Sequence, residues 1–226
     1  MTKQIFVRMA LGAFLSCFGI AANAVPIYTL TNGVTNEVLD PLSKAETAPL
    51  YYDYGFSAAS GNPDFGPEED TAFFWLYTDT NTGVLSLGMI FDKRCTASCT
   101  TGGSMNLTSA GMPGGAFVSV SDDMSETATM INGTEIWSWN NANSDGGMVS
   151  GLEGSTWVID LDINSFSGLG DFWFLTGPSS SSPTKIRLDE GLTIRITATT
   201  VPEPGTLALL GIGLFGMGLA RRRRKV

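Results

Sequence analysis

The stretch Trp157-Val158-Ile159-Asp160-Leu161-Asp162-Ile163 alternates apolar and polar residues almost without a break. A β-strand sends successive side chains to opposite faces, so Trp157, Ile159, Leu161 and Ile163 fall on one side and Val158, Asp160 and Asp162 on the other. The pattern recurs over 192–199, with Leu192, Ile194 and Ile196 expected inward and Thr193, Arg195 and Thr197 outward. Further runs with strand character occupy 73–78, 84–91, 116–120 and 172–175, and the loop Asp79-Thr80-Asn81-Thr82-Gly83 joins the first two as a hairpin. Asn32-Gly33 and Asn132-Gly133 each sit between two such runs, where a tight turn needs positive φ. No stretch holds a convincing helical period; residues 40–46 suit a single helical turn and 179–183 a flexible loop. The expected fold is all-β, a two-sheet antiparallel β-sandwich of jelly-roll-like type with nine or ten short strands. A single sheet would leave too many of the body's 19 Phe, Trp and Tyr residues in water.

Outward from this body, residues 1–24 carry Lys3 and Arg8, an apolar run over 9–20, and Ala22-Asn23-Ala24. A basic start, a short apolar stretch and a small-x-small site make a secretory signal that signal peptidase removes after Ala24. The run of about a dozen residues is shorter than the roughly 20 that span a bilayer.

The other end reads Pro202-Glu203-Pro204, an apolar stretch over 206–220, and the cluster Arg221, Arg222, Arg223, Arg224 and Lys225. The prolines keep the triplet extended, the apolar stretch is expected as a transmembrane helix, and the basic cluster stays on the cytoplasmic side. Gly211-x-Gly213-x-x-Gly216 matches a dinucleotide fingerprint only formally, because it lies inside the apolar run with no strand before it. The tail closely resembles the PEP-CTERM sorting signal of Gram-negative bacteria. The resemblance covers only residues 201–226 and leaves the family of the body open. It implies recognition by an exosortase, a membrane-embedded processing enzyme that removes the tail near the triplet and delivers the body to the cell surface or exopolysaccharide matrix. The expected organisation is a signal peptide over 1–24, a sandwich over 25–200 and a sorting tail over 201–226, with membrane contact only through the tail before processing.

Histidine is absent, which excludes Ser-His-Asp and Cys-His nucleophile systems and His-containing zinc sites. The chain has 13 basic and 22 acidic residues; setting aside Lys3, Arg8, the five terminal basic residues and Glu203 leaves 6 and 21, a body charge of about −15. Such a body repels phosphate backbones, so nucleic acid is not an expected partner.

Export takes Cys95 and Cys99 into an oxidising compartment, where a local disulfide is expected. Asp160, Asp162, Asn164 and Asp171 follow the ligand order of a calcium loop. Ser165 nevertheless replaces the glycine of the sharp turn, and the solvated face of an alternating strand explains the same residues better. Acids at Asp64, Glu68, Glu69 and Asp70, or at Asp122 and Asp123, are other calcium candidates; no other cofactor is expected. Glu135, Trp137 and Trp139 share one face of a strand that runs toward a polar loop over 140–147. That pattern suits glycan contact, although core packing is the more ordinary account. No catalytic motif stands out, so the expected function is a non-catalytic adhesion or matrix-binding module, with exopolysaccharide as a candidate partner. A carbohydrate-active enzyme using two carboxylates and a purely structural matrix component are the alternatives.

Overall fold

The computed structural model describes residues 25–53, 63–68, 70–92, 103–121, 127–131, 134–141, 145–154 and 156–201; at 92, 103, 127–131 and 134–141 it describes the backbone alone. In chain order these residues form β1 (Val25–Asn32), β2 (Thr35–Leu39), β3 (Leu42–Lys44), helix α1 (Ala48–Tyr52), β4 (Thr71–Asp79), β5 (Leu85–Asp92), β6 (Gly103–Ala110), β7 (Phe117–Ser121), β8 (Thr127–Ile131), β9 (Thr134–Asn141), β10 (Asp145–Ser150), β11 (Trp157–Ser167), β12 (Asp171–Thr176), β13 (Thr184–Arg187) and β14 (Ile194–Val201). The all-β expectation holds, with more strands than the pattern suggested.

Strand β4 explains the layering. Its run Ala72-Phe73-Phe74-Trp75-Leu76-Tyr77 does not alternate, as befits a strand buried on both faces, and all six residues are at most 1% exposed. Phe74 and Leu76 enter the main core with Leu87 and Met89 of β5, Phe172 and Phe174 of β12, and, from the other sheet, Leu30, Met105, Leu107, Ile159, Leu161, Ile194 and Ile196. Phe73, Trp75 and Tyr77 point the opposite way, into a second core that α1 closes with Ala48, Tyr51 and Tyr52. Tyr51 stacks on Tyr77 at 4.2 Å between ring centroids, and the Tyr77 hydroxyl donates to the Glu46 carbonyl at 2.7 Å. Burial pushes both phenol pKa values up, so both remain protonated donors. The two cores lie within residues 26–199, which form a compact unit of their own.

Sheet A runs β2-β1-β14-β11-β6-β9-β8 and sheet B runs β13-β12-β4-β5-β10-β7. The expectation of purely antiparallel sheets needs correction: β12 lies parallel to β4 along Thr71–Trp75, and β3 lies parallel to it along Tyr77–Asp79. Parallel neighbours require a crossover, and the chain from β3 to β4 makes one through α1. The helical turn expected over 40–46 is replaced there by β3, and the helix forms later, with Pro49 in its first turn. It stops at Asp53, whose φ of 50° is left-handed and whose N–H bonds the Pro49 carbonyl.

Three local readings also shift. The first hairpin pairs Asn32 with Thr35, so its two loop residues are Gly33 and Val34 rather than Asn32 and Gly33. Gly33 takes a φ of 60° at the first loop position, which is the primed turn that places glycine first. Leu192, expected inward, lies before β14 and is 45% exposed. Part of the expected loop over 140–147 is strand, because β9 extends to Asn141 and β10 begins at Asp145. The second Asn-Gly turn is supported by the backbone, since Ile131 pairs with Thr134 across two residues; positions 132 and 133 lie outside the described residues.

Candidate binding surfaces

Among the described residues, sheet A presents a polar outer face. Alternation sends Ser104, Asn106 and Thr108 of β6 outward, opposite Ser167, Ser165 and Asp162 of β11. Short polar side chains bridge these strands: Ser104 and Ser167 hydroxyls lie 2.9 Å apart, the Asn106 amide donates to Ser165 at 2.9 Å, and the Asn164 amide donates to Thr108 at 2.8 Å. A register shift between Ile163 and Ser165 admits Asn164 as the extra residue of a bulge. Toward β14, Thr193 donates to Asp162 at 2.6 Å, and the Arg195 guanidinium grips both Asp160 oxygens at 2.7 and 2.8 Å. Hydrogen bonding from Arg195 holds the Asp160 carboxyl below the usual range and raises the guanidinium in turn.

This arrangement also places the calcium-order residues. Asp160, Asp162 and Asn164 lie along the extended strand β11 of sheet A, whereas Asp171 opens β12 in sheet B and pairs with Arg187 at 3.0 Å. The structure does not bring the four together, and among the described residues no group of three or more acids and cysteines is gathered to hold a metal. Asp64 engages Lys44 and Ser180, Glu68 engages Lys185, and the Asp70 carbonyl accepts from Gly170.

Sheet B, covered elsewhere by α1, leaves a cleft of about 360 Å³ between the start of that helix, the β4–β5 loop and β7. Ala48, Pro49, Val84, Phe117 and Val118 supply its apolar walls. Phe117 is 54% exposed and lines the cleft. Across β5, β10 and β7 runs a serine row: Ser86 and Ser150 hydroxyls are 2.8 Å apart, Ser150 donates to Ser119 at 2.7 Å, and Ser119 donates to the Met148 carbonyl at 3.1 Å. The nearby Asp79 side chain is buried and fully engaged by the turn, accepting from Asn81 N–H at 2.9 Å and from the Thr82 hydroxyl at 2.7 Å.

Sequence reasoning did not single out Phe117 or the serines, whose only linear signal is a hydroxyl inside an otherwise apolar strand. It also missed the second role of Asn32, which is 1% exposed. The Asn32 amide donates to the carbonyls of Asp189, Leu192 and Thr193 at 3.2–3.4 Å, and its oxygen accepts from Asp189 N–H at 2.6 Å. The loop between β13 and β14 is thereby clipped to the end of β1.

Of the remaining candidates, Glu135, Trp137 and Trp139 lie on β9 and pair with Ser109, Leu107 and Met105 of β6. These partners are all buried, and directly opposed positions of an antiparallel pair share a sheet face. Cys95 and Cys99, Asp122 and Asp123, Glu69, Ala22 and Ala24, Pro202 to Pro204, the apolar stretch over 206–220, and the cluster Arg221 to Lys225 lie outside the described residues. Among the described residues no helix is long and apolar enough to cross a membrane.

Comparison with protein families decides the reading of the C-terminus: residues 200–225 match the model of the PEP-CTERM protein-sorting motif. The chain carries a PEP-CTERM sorting motif. No curated protein matches the chain. The PEP-CTERM motif supports export through a sorting system and implies processing by an exosortase-type membrane enzyme. It begins at Thr200, inside β14, which ends at Val201. Strand β14 has β1 on one side and β11 on the other, so the motif continues from an interior strand.

Proposed function

We propose that the protein is released from its signal peptide after Ala24 and processed near Pro202-Glu203-Pro204. It then serves at the cell surface or in the exopolysaccharide matrix as a non-catalytic adhesion or matrix-binding module. The observation that carries this reading is the sorting motif at residues 200–225, whose first two residues end the last strand of the two-sheet β-body. The polar face of sheet A supports the binding role, because rows of short hydroxyl and amide side chains on a sheet suit an extended polyhydroxylated polymer. The non-catalytic reading draws support from Asp79 beside the cleft and Asp160 on sheet A, which are engaged by the β4–β5 turn and by Arg195. A disulfide between Cys95 and Cys99 belongs to the same reading of an exported body.

The test is made in producing cells and then on the recovered protein. Surface delivery is followed for the wild type, for Glu203→Ala and for a chain lacking 221–225, and the delivered protein is assayed for retention on the cells' own exopolysaccharide and for release of reducing ends. The reading expects loss of delivery in both variants and retention without sugar release for the wild type. Normal delivery of both variants would remove the sorting step, and sugar release would make the body an enzyme.

A further inference from the structure

The direction of every proton in the serine row follows from its last acceptor. A carbonyl cannot donate, so Ser119 gives its only hydroxyl proton to Met148 O; Ser150 must then give its own to Ser119, and Ser86 its own to Ser150. Thr82 is committed likewise, since its partner Asp79 accepts. Ser119, a partly exposed residue, already accepts from Ser150, and Thr82, an exposed one, already accepts from Val84 N–H at 3.3 Å, so each hydroxyl offers an incoming group one lone pair and no proton. Beside them stand the apolar walls and the open ring of Phe117, and the charged group lining the cleft is the carboxylate of Asp79.

We infer that this cleft is a subsite for one neutral sugar ring of a glycan. A pyranose carries an apolar CH face to lie on Phe117 and hydroxyl edges that donate to Ser119 and Thr82, and the volume of about 360 Å³ falls in the range of small-ligand sites. A uronate, sulfate or phosphate brings acceptors to acceptors and a negative charge toward Asp79, so acidic sugars are selected against. The inference rests on the matrix-binding reading and goes beyond it, naming a second surface on the opposite sheet and the class of sugar it takes.

The experiment uses the full chain in a sugar-free polyoxyethylene detergent. Saturation-transfer NMR is recorded with the methyl glycosides of glucose, mannose and galactose and with glucuronic acid, alongside retention on the exopolysaccharide. At least one neutral glycoside is expected to bind saturably, and glucuronic acid at pH 7 at least about tenfold more weakly. Phe117→Ala is expected to weaken the glycoside about tenfold, at the upper end of what an aromatic contact supplies. Its exposed position leaves the fold intact, which an unchanged unfolding midpoint verifies, and Val34→Ala in the β1–β2 turn, 100% exposed and outside both surfaces, leaves glycoside binding unaltered. Glucuronic acid binding as well as the neutral sugars, or Phe117→Ala binding like wild type, would overturn the proposal. Retention of the polymer with no glycoside bound would overturn the subsite and leave the matrix-binding reading standing; failure of both would remove the two together.

Discussion

Asn32 gives the sharpest test of how this body is held together. Its amide shares two N–H donors among three carbonyls of the 189–193 loop, and its oxygen accepts from Asp189 N–H, all at a side chain that is 1% exposed. Asn32→Ala leaves these groups to find water in a partly open loop, at a cost of about 1–3 kcal/mol. For a body of this size each kcal/mol is worth roughly 2–4 °C, so the midpoint should fall by about 2–12 °C. Asn32→Asp is nearly isosteric and keeps the oxygen that accepts from Asp189, yet at pH 7 it places a charge where three carbonyls expected a donor. Burying that unpaired charge costs about 3–5 kcal/mol, so the Asp variant should be less stable than the Ala variant. The pH dependence has a definite sign. Burial among acceptors raises the introduced carboxyl's pKa above its unfolded value near 4, so the penalty is absent below about pH 4 and grows as pH rises toward the raised value. Thermal unfolding of both variants from pH 3.5 to 7.5 decides it: an Asp variant as stable as Ala at pH 7, or one whose deficit relative to Ala does not change with pH, would refute the clip.

Further consequences follow from other sites. A Cβ on Gly88 would stand 2.2 Å from the Trp75 indole in the second core, so Gly88→Ala should cost about 1–3 kcal/mol through overpacking, read as a lower urea midpoint at unchanged slope. Arg195→Ala removes the partner that depresses Asp160; because a depressed carboxyl contributes stability above its unfolded pKa and loses it as pH falls, wild type should have the higher unfolding midpoint at pH 6, by a margin that shrinks below about pH 4 and at high salt. Asp160→Asn and Asp162→Asn together should leave the unfolding midpoint insensitive to added calcium, as in wild type, since the two acids engage Arg195 and Thr193 on an extended strand; a calcium-dependent rise in wild type that the double variant lacks would restore the calcium loop.

How much was legible in the sequence differs from element to element. Strand β11 and strand β14 announced themselves because each has one wet and one dry face, so period two is written into the residues. Strand β10 did not: Asp145-Gly146-Gly147 resembles a loop, yet it lies between β5 and β7, where a Cβ on Gly146 would stand 2.2 Å from the Met89 carbonyl. Glycine there serves close packing of strands, a reason invisible until the neighbour is known. The PEP-CTERM motif was readable, because its triplet, apolar stretch and basic cluster follow one another in linear sequence and need no folded partner to be recognised. The cleft was not, since Ser86, Ser119 and Ser150 come together only through the register that pairs Ser150 with Ser86 on one side and with Phe117 on the other.

Charge connects the surfaces to the kind of polymer they meet. The body carries about 15 more acidic than basic residues. Its described cations are all committed: Lys44 to Glu46 and Asp64, Lys185 to Glu68, Arg187 to Asp171 and Arg195 to Asp160. To gain one of these described cations an anionic polysaccharide would have to break its pair, and it would meet the body's net negative charge as it approached. A neutral polymer meets neither obstacle, and it can donate to the acceptor-only hydroxyls of the cleft. The same preference thus arises from net charge, from ion pairing and from the direction of individual protons.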